Sequence, residues 1–328
     1  MKVRIDEHGL FTLILLLEIG STTLFALGID SNQDAWIAII IAALIGILLL
    51  WIYIKLQVFF PDKNYAEIII EVLGTTIGTP FVIVNALYFL HISTHNLNEF
   101  SNIVSITLLD KTPRIIIFLI FISVSIFALY LGIEAFVNTG KMMIKILMFF
   151  LLITYFLMFW CFVEPKDKIR KVSYMALLTS SILLCFSLII IVSVLGVTIA
   201  SNSLIPLLDV VKQINILGIL RNFDAIAILN MLIGGFFKFT IFFYAGVSCF
   251  STLFKLKDYR RILIPVGLVT LYVSFYTMPN ILVQKWVGPE ITAKYINIPL
   301  QIAIPSSLLI ISMLKNYKVN KTKQSHTN

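Results

Sequence analysis

Four small residues, Gly20 to Thr23, interrupt the first apolar segment of the chain and are candidates for binding a solute. Gly20 lets the backbone leave helical geometry, and Ser21, Thr22 and Thr23 carry hydroxyl groups. A helix that breaks at membrane depth exposes backbone N–H groups at a positive helix end, which suits a substrate carboxylate. We therefore predict that these four residues bind a ligand. The alternative is that they simply allow two helices to pack closely.

A second candidate group follows one face of a later apolar segment. Tyr88, His91 and His95 are spaced i, i+3 and i+7, which places them on one side of a helix. This pattern predicts a wall that faces a ligand or responds to protons, with Tyr88 and His91 as binding residues. His91 and His95 would also suit a metal, but no third ligand is evident, so no metal site is predicted.

The same segment carries further polar residues: Ser93, Asn96 and Glu99. A segment with so many polar side chains is crowded for a lipid-facing helix. The alternative interpretation is therefore that this part of the segment lies at the water interface.

Two charged residues, Glu18 and Lys238, lie inside apolar segments. A charge near the bilayer centre costs roughly 2.5–3.5 kcal/mol on insertion scales, so we expect a compensating partner for each. The alternative for Lys238 is that its side chain extends to the membrane interface.

The composition of the whole chain is that of a membrane protein. Of its 328 residues, 59% are hydrophobic and 13% are charged, and the mean hydropathy is +0.98. A soluble domain carries roughly 25% charged residues, so this chain cannot cover a water-facing surface. The net charge of +8 comes from basic residues in short loops, as positive-inside topology requires. We therefore predict no binding to nucleic acid.

Long apolar runs indicate helices rather than the alternating strands of a β-barrel. We predict an all-α integral membrane protein, a polytopic bundle of about nine spans in a single transmembrane domain, residues 1–328. Residues 204–220 show apolar positions at helical spacing with polar residues between them, which predicts an amphipathic helix on the bundle or at the interface. The predicted spans are Leu10–Ile29, Ala35–Phe60, Thr79–Leu108, Ile115–Phe136, Met142–Val163, Tyr174–Ala200, Ala225–Phe254, Ile262–Val283 and Ile298–Leu314.

The basic residues alternate regularly between loops except around one predicted span. Lys141 and Lys145 lie at one end of Met142–Val163, and the basic run from Lys166 to Lys171 follows its other end. A single crossing cannot keep both ends on the cytoplasmic side. Either this segment does not cross, or a basic loop lies outside, or a helix is absent from this stretch.

Short motifs occur in a fixed order along nearly the whole chain. They are Gly20 to Leu24, Gln33 to Ile37, Phe60 to Asn64, Leu207 to Asp224, Gly234 to Lys238 and Leu253 to Arg260. This ordered set resembles the B subunits of endospore nutrient-germination receptors, which are spore germination permeases of the amino acid/polyamine/organocation superfamily.

The resemblance implies ten helices in a five-plus-five inverted repeat of the LeuT-like kind, with a ligand site at mid-membrane beside broken first and sixth helices. It further implies a multi-pass protein of the spore inner membrane that senses a small germinant such as an amino acid. Such a subunit acts with an A-type subunit and a lipoprotein C-type subunit. In the superfamily fold the first and eighth helices line a cation site. The Lys238 ammonium is predicted to take the place of a sodium ion there, near Glu18 of the first helix.

The sequence departs from the family pattern at one place. Phe162-Val163 passes directly into Glu164-Pro165-Lys166, which resembles the loop after the sixth helix. This departure coincides with the irregularity in the basic residues, and both predict that the sixth helix is missing. Two alternatives to a receptor subunit remain: an amino-acid secondary transporter, and a degenerate, non-binding structural subunit. No nucleophile–base pair or phosphate loop is present, so neither enzymatic activity nor a cofactor is predicted.

Overall fold

The computed structural model describes residues 4–19, 26, 28–144, 159–164, 166–213, 223–278 and 281–325. These residues are predominantly helical, and within them the one extended pairing is a bridge between Ile5 and Val163. The helices are α1 (Glu7–Ile19), α2 (Ala35–Phe59), α3 (Tyr65–Thr107), α4 (Arg114–Leu131), α5 (Ile133–Ile144), α6 (Lys168–Asn202), α7 (Pro206–Lys212), α8 (Phe223–Leu253), α9 (Leu263–Thr277), α10 (Ile281–Trp286), a π-helix (Val287–Ala303) and α11 (Ile304–Ser325).

Six helical stretches in the described part of the chain are long and apolar enough to cross a bilayer. Many of their large apolar side chains point outward, as a lipid-facing surface requires. The prediction of an all-α membrane protein is confirmed, whereas nine spans and the five-plus-five repeat stay predictions. The six stretches are Ser31–Phe59, Tyr65–Thr107, Arg114–Leu131, Lys168–Asn202, Met231–Leu253 and Glu290–Lys315.

The predicted span Ile115–Phe136 is divided in two by Gly132. This glycine adopts φ +113°, a conformation that L side chains rarely take, and it separates α4 from α5. A Cβ at this position would lie 3.1 Å from a terminal guanidinium nitrogen of Arg260. The backbone angle therefore requires glycine, whereas the flexible Arg260 side chain can move away from a Cβ.

The helix α3 begins well before the predicted span Thr79–Leu108. A capping box starts it: Asn64 Oδ1 accepts from the Glu67 N–H at 3.0 Å, and the Glu67 carboxylate accepts from the Asn64 N–H at 2.8 Å. Gly74, with φ +78°, then bends the chain sharply enough that a Cβ at Gly78 would lie 3.0 Å from the Ile70 Cα. Only the part of α3 after Gly74 therefore corresponds to the predicted span.

The C-terminal spans also differ from the predicted bounds. The span predicted from Ile262 to Val283 ends at Thr277, where α9 terminates, and Ile298–Leu314 is divided between the π-helix and α11. Pro299 lies inside the π-helix and lacks a backbone N–H to donate. The predicted amphipathic helix, 204–220, is represented by α7, and its residues 214–220 lie outside the described residues.

Ion pairs gather the basic loop segments at one end of the bundle, here called the basic end. Three of them join the N-terminal segment to residues on either side of the predicted span Met142–Val163. They are Arg4–Glu164 at 2.9 Å, Lys141–Asp6 at 2.7 Å and Lys168–Glu7 at 2.8 Å. Ile5 also donates its N–H to the Phe162 carbonyl at 2.8 Å. The two basic clusters that flank this segment therefore lie at the same end. This arrangement favours the two interpretations in which Met142–Val163 does not cross or a helix is absent, over that of an external basic loop.

Later parts of the chain reach the basic end as well. Lys166 Nζ donates to the Pro61 carbonyl at 2.6 Å, so the loop after α2 lies there. Lys315, in α11, donates to the Val72 carbonyl near the start of α3 at 2.7 Å. Because basic loops usually face the cytoplasm, we predict that the N-terminal segment and the end of α11 lie on the cytoplasmic side.

This arrangement predicts the sidedness of single cysteines in a background that lacks Cys161, Cys185 and Cys249. Exposed positions at the basic end are expected to react with a membrane-impermeant maleimide only after permeabilisation, and exposed positions at the opposite end before it. The first group is Asp62→Cys, Asp167→Cys and Lys257→Cys, and the second is Ser31→Cys and Asp110→Cys. Reaction of Asp167→Cys together with Asp110→Cys in intact cells would contradict the assignment.

Candidate functional site

A line of polar side chains on α3 faces the segment that runs from α10 through the π-helix. We call this contact the polar seam. The two segments run antiparallel, because increasing residue numbers on α3 pair with decreasing numbers on the other side. The contacts are Tyr88 Oη to Asn297 Oδ1 at 2.8 Å, His91 Nε2 to Thr292 Oγ1 at 3.0 Å, Gln284 Nε2 to the His95 carbonyl at 3.1 Å, and Asn102 Nδ2 to Gln284 Oε1 at 2.8 Å.

Three helices meet at Tyr88. Gln301 of the π-helix donates its amide to the Tyr88 hydroxyl, and Tyr53 of α2 donates its hydroxyl to the Gln301 carbonyl. The tyrosines are each only 4% exposed. Buried polar groups are costly at membrane depth unless they are hydrogen-bonded, and here each hydroxyl has a partner. This end of the seam can therefore present hydroxyl and amide groups to a polar solute if the two sides separate.

His95 occupies the middle of the seam in a tight position. A Cβ at Gly288 would lie 3.0 Å from His95 Nε2, so glycine allows the π-helix to approach α3 closely. His95 Nε2 has no hydrogen-bond partner among the described residues. Lys238 of α8 is close enough to this imidazole to interact with it electrostatically. The predicted position of Lys238 beside α1 stays a prediction.

Several predicted site residues lie outside this description. Gly20, Ser21, Thr22 and Thr23 are not among the described residues, and the side chain of Glu18 is not described either. Their proposed binding roles stay predictions. Across the described ranges, no three metal-ligating side chains come together.

The remaining polar residues of α3 are buried rather than exposed at an interface. Ser93 is 0% exposed, Asn96 3% and Glu99 8%. The Ser93 hydroxyl donates to the Phe239 carbonyl of α8 at 3.5 Å. The second half of α3 is thus an interior helix with α8 on one side and the polar seam on another, and the water-interface interpretation stays a prediction.

The partners of α3 in the polar seam were not predicted from the sequence. Asn297 and Gln301 are spaced i, i+4 in an otherwise apolar stretch, and this signal could have matched them to Tyr88. Thr292 and Tyr53 carry no comparable signal, because single threonines and tyrosines are common in membrane helices.

A second feature is a charged cavity of about 800 Å³ at the basic end. Its lining combines the ion-paired N-terminal segment with the start of α5 and the residues before α6. The charged lining residues are Arg4, Asp6, Asp62, Glu134, Lys141, Glu164 and Lys166. Partial burial raises the pKa of Asp6, but the Lys141 ammonium and the Gly9 N–H lower it by more, so its pKa lies below the ordinary value of 3.8.

The Asp6–Lys141 pair predicts an acid-sensitive N-terminal segment. A carboxyl group with a lowered pKa stabilises the folded state above its ordinary value, and this contribution is lost as pH falls through the folded pKa. We expect the backbone amides of residues 4–9 to exchange faster below about pH 4 in the wild type. In Asp6→Asn no such acceleration is expected, because this variant lacks the carboxyl group that titrates. The effect is small because the pair is partly exposed, and high salt should reduce it further. Identical pH profiles for both proteins at low salt would contradict the assignment.

Comparison with known sequences identifies the family. The sequence profile of a family described as spore germination protein matches residues 4–157 and 143–281. The chain belongs to this spore germination protein family. Spore germination protein KB of Bacillus subtilis (strain 168) is 26% identical and aligns over 98% of each chain. Putative spore germination protein YfkT of the same strain is 29% identical over 99 residues, which cover 30% of this chain and 27% of that protein.

The match to the spore germination protein family is interrupted at one place. The two matched ranges overlap at residues 143–157 instead of forming one range. The alignment with spore germination protein KB extends over 367 positions, more than the 328 residues of this chain, so it contains gaps on this side. The interruption falls between α5 and α6, where the sequence predicts a missing helix.

Proposed function

We propose that this chain is the germinant-sensing membrane subunit of a spore germination receptor, and that it binds a small solute such as an amino acid at mid-membrane. Membership of the spore germination protein family supports the receptor role. The observation that carries the binding role is the polar seam, because hydrogen-bonding side chains buried between membrane helices commonly mark binding or translocation sites. We place this subunit in the spore inner membrane. It would act there with an A-type subunit and a lipoprotein C-type subunit.

The seam also suggests how binding is signalled. The bonds from Tyr88 to Asn297 and from His91 to Thr292 hold α3 against the π-helix. An amino acid that takes over these groups favours an arrangement in which the two segments stand apart. A ligand shifts such an equilibrium only by its difference in affinity for the two states. The segment Gly20–Thr23 is the proposed binding site for the carboxylate.

Binding by the purified chain tests this proposal. The full chain, reconstituted in nanodiscs, is screened against radiolabelled L-amino acids in a scintillation proximity assay. Tyr88→Phe removes one hydroxyl from the seam and is expected to weaken binding about threefold to tenfold. The matched control is Tyr272→Phe, because Tyr272 is 62% exposed on the outside of α9. Equal affinities in the two variants, or no binding of any amino acid by the wild type, would count against the proposed site.

The interrupted family match favours a second candidate, a structural subunit that has lost solute binding. We infer that the sixth helix is absent, which would remove half of the site that the family resemblance implies. Such a subunit would still assemble with A-type and C-type partners but would bind no amino acid. Co-purification with both partners, combined with failure of the binding assay, would identify this case.

The family profile is labelled a permease, so a transport function also needs a test. A transporter releases its solute on both sides of the membrane, whereas a receptor need not. Uptake of the bound amino acid into proteoliposomes containing this chain alone would establish transport.

A further inference from the structure

A second cavity, of about 430 Å³, lies at the basic end between α2 and α6. The two helices run antiparallel along their length. A Cβ at Gly46 of α2 would lie 3.5 Å from Leu177 Cδ1 of α6, and Cys185 Sγ lies 3.7 Å from the Trp36 carbonyl oxygen farther along. The cavity is therefore formed by the last turns of α2 and the first turns of α6. Its volume falls within the roughly 300–1,000 Å³ range of small-molecule sites.

The cavity carries an excess of positive charge. Three cations, Lys55, Lys166 and Arg170, line it together with one carboxylate, Asp167. Lys166 is fixed in place because it donates to the carbonyls of Pro61 at 2.6 Å and Cys161 at 2.8 Å. The N-terminus of α6, at residue 168, adds the positive end of a helix dipole.

The other two cations are available to a ligand. Lys55 lies 6.0 Å from the centre of the Trp51 ring. Within the described ranges, neither Lys55 nor Arg170 forms an ion pair. A cavity that holds two cations without an ion pair among the described residues, beside a third cation that is fixed in place, suits an anion with several acceptor oxygens.

The position of the cavity indicates what kind of anion it takes. Trp51 and Tyr174 form part of its wall, and such aromatic side chains are typical of the membrane–water interface. Toward the membrane centre, α2 and α6 present outward-facing apolar side chains that can cover acyl chains. They are Leu44, Leu48, Leu178 and Ile182, with exposed fractions of 61%, 59%, 50% and 67%.

We propose that this cavity binds the phosphate headgroup of an anionic phospholipid from the cytoplasmic leaflet, with the acyl chains along α2 and α6. The phosphate lies between Lys55 and Arg170, and Trp51 and Tyr174 flank the glycerol backbone. A zwitterionic lipid gains less from this cavity because its own cation opposes the lysine and arginine charges. The inference is independent of solute sensing, since α2 and α6 bind the lipid on their outer surface.

The test is lipid binding by the purified full chain in detergent. Native mass spectrometry measures the affinity for dioleoylphosphatidylglycerol and for dioleoylphosphatidylcholine. We expect the wild type to prefer phosphatidylglycerol at least fivefold. Lys55→Gln combined with Arg170→Gln is expected to weaken phosphatidylglycerol binding by roughly 30-fold, about fivefold for each cation. The charge-preserving pair Lys55→Arg and Arg170→Lys should retain most of the affinity, which separates loss of charge from misfolding.

A matched pair of substitutions controls for the general positive field at this end. Lys257→Gln with Arg261→Gln removes the same two charges from exposed positions near the basic end, and we expect less than a twofold change. Equal losses in the two pairs, or no preference for phosphatidylglycerol in the wild type, would overturn the proposal. Displacement of the lipid by millimolar inorganic phosphate would also overturn it, because the occupant would then be a soluble anion.

Discussion

Gly235→Ala is expected to destabilise the bundle strongly, because α8 packs against α3 without room for a methyl group. A Cβ at this position would lie 1.5 Å from Cζ of Phe100 and 1.7 Å from its Cε2. Phe100 is 0% exposed and stacks on Phe121 with ring centroids 5.8 Å apart, so the ring cannot swing into open space. Overpacking of this kind costs roughly 1–3 kcal/mol. Thermal unfolding of the purified protein in detergent measures the loss.

Gly46→Ala is the matched control for this substitution. Its Cβ would meet Leu177 at 3.5 Å, an ordinary van der Waals contact, so its unfolding temperature should stay close to that of the wild type. Adding Phe100→Leu to Gly235→Ala should recover part of the loss, since the smaller side chain leaves space for the methyl group. Equal unfolding temperatures for the two alanine variants would show that α3 and α8 are not packed at this distance.

The second large effect is expected at the end of the bundle opposite the basic end, where Arg114 joins three helices. Its guanidinium donates to Asn98 Oδ1 of α3 at 2.7 Å and to the Met278 carbonyl after α9 at 3.3 Å. Asn98 is fully buried and itself donates to the Ser274 carbonyl at 3.0 Å. Arg114→Met is expected to cost roughly 1.5–3 kcal/mol, because hydrogen bonds from a charged donor to buried acceptors are lost.

Hydrogen exchange at the C-terminal end of α9 gives the local readout for this variant. Faster exchange around Ser274 is expected in Arg114→Met, together with a lower unfolding temperature. The exchange rate and the unfolding temperature of Arg114→Lys should lie between those of the wild type and Arg114→Met, because an ammonium keeps the charge but cannot form two parallel hydrogen bonds as a planar guanidinium does. Lys111→Met removes a nearby exposed cation and serves as the control. Equal exchange rates and equal unfolding temperatures for the two methionine variants would show that the Arg114 hydrogen bonds do not connect α3, α4 and α9.

The sequence predicts well those features that depend on local pattern. The spans within α2, α6 and α8 follow from long apolar runs. The alignment of Tyr88, His91 and His95 on one face of α3 follows from their helical spacing. Both signals lie within a few turns of one helix, so no knowledge of distant partners is needed.

Features that depend on contacts between distant segments were not predicted. The pairing of Tyr88 with Asn297 joins residues on separate helices, and the break at Gly132 is recognisable only from its backbone angle. The side of the membrane on which the residues before α6 lie was also undecided. The ion pairs from Arg4 and Glu7 place these residues at the same end of the bundle as the N-terminal segment, because they connect it to Glu164 and Lys168.

The shared position of these basic clusters determines the direction in which every later helix is inserted. Deleting one crossing from a membrane chain normally inserts every later helix upside down, and binding surfaces for partner subunits would then face the wrong compartment. Here the described residues on both sides of 145–158 lie at the basic end, so α6 starts from the end of the bundle at which α4 finishes. If the predicted sixth helix is absent, α6 to α11 would therefore insert in the same direction as in a chain that contains both crossings.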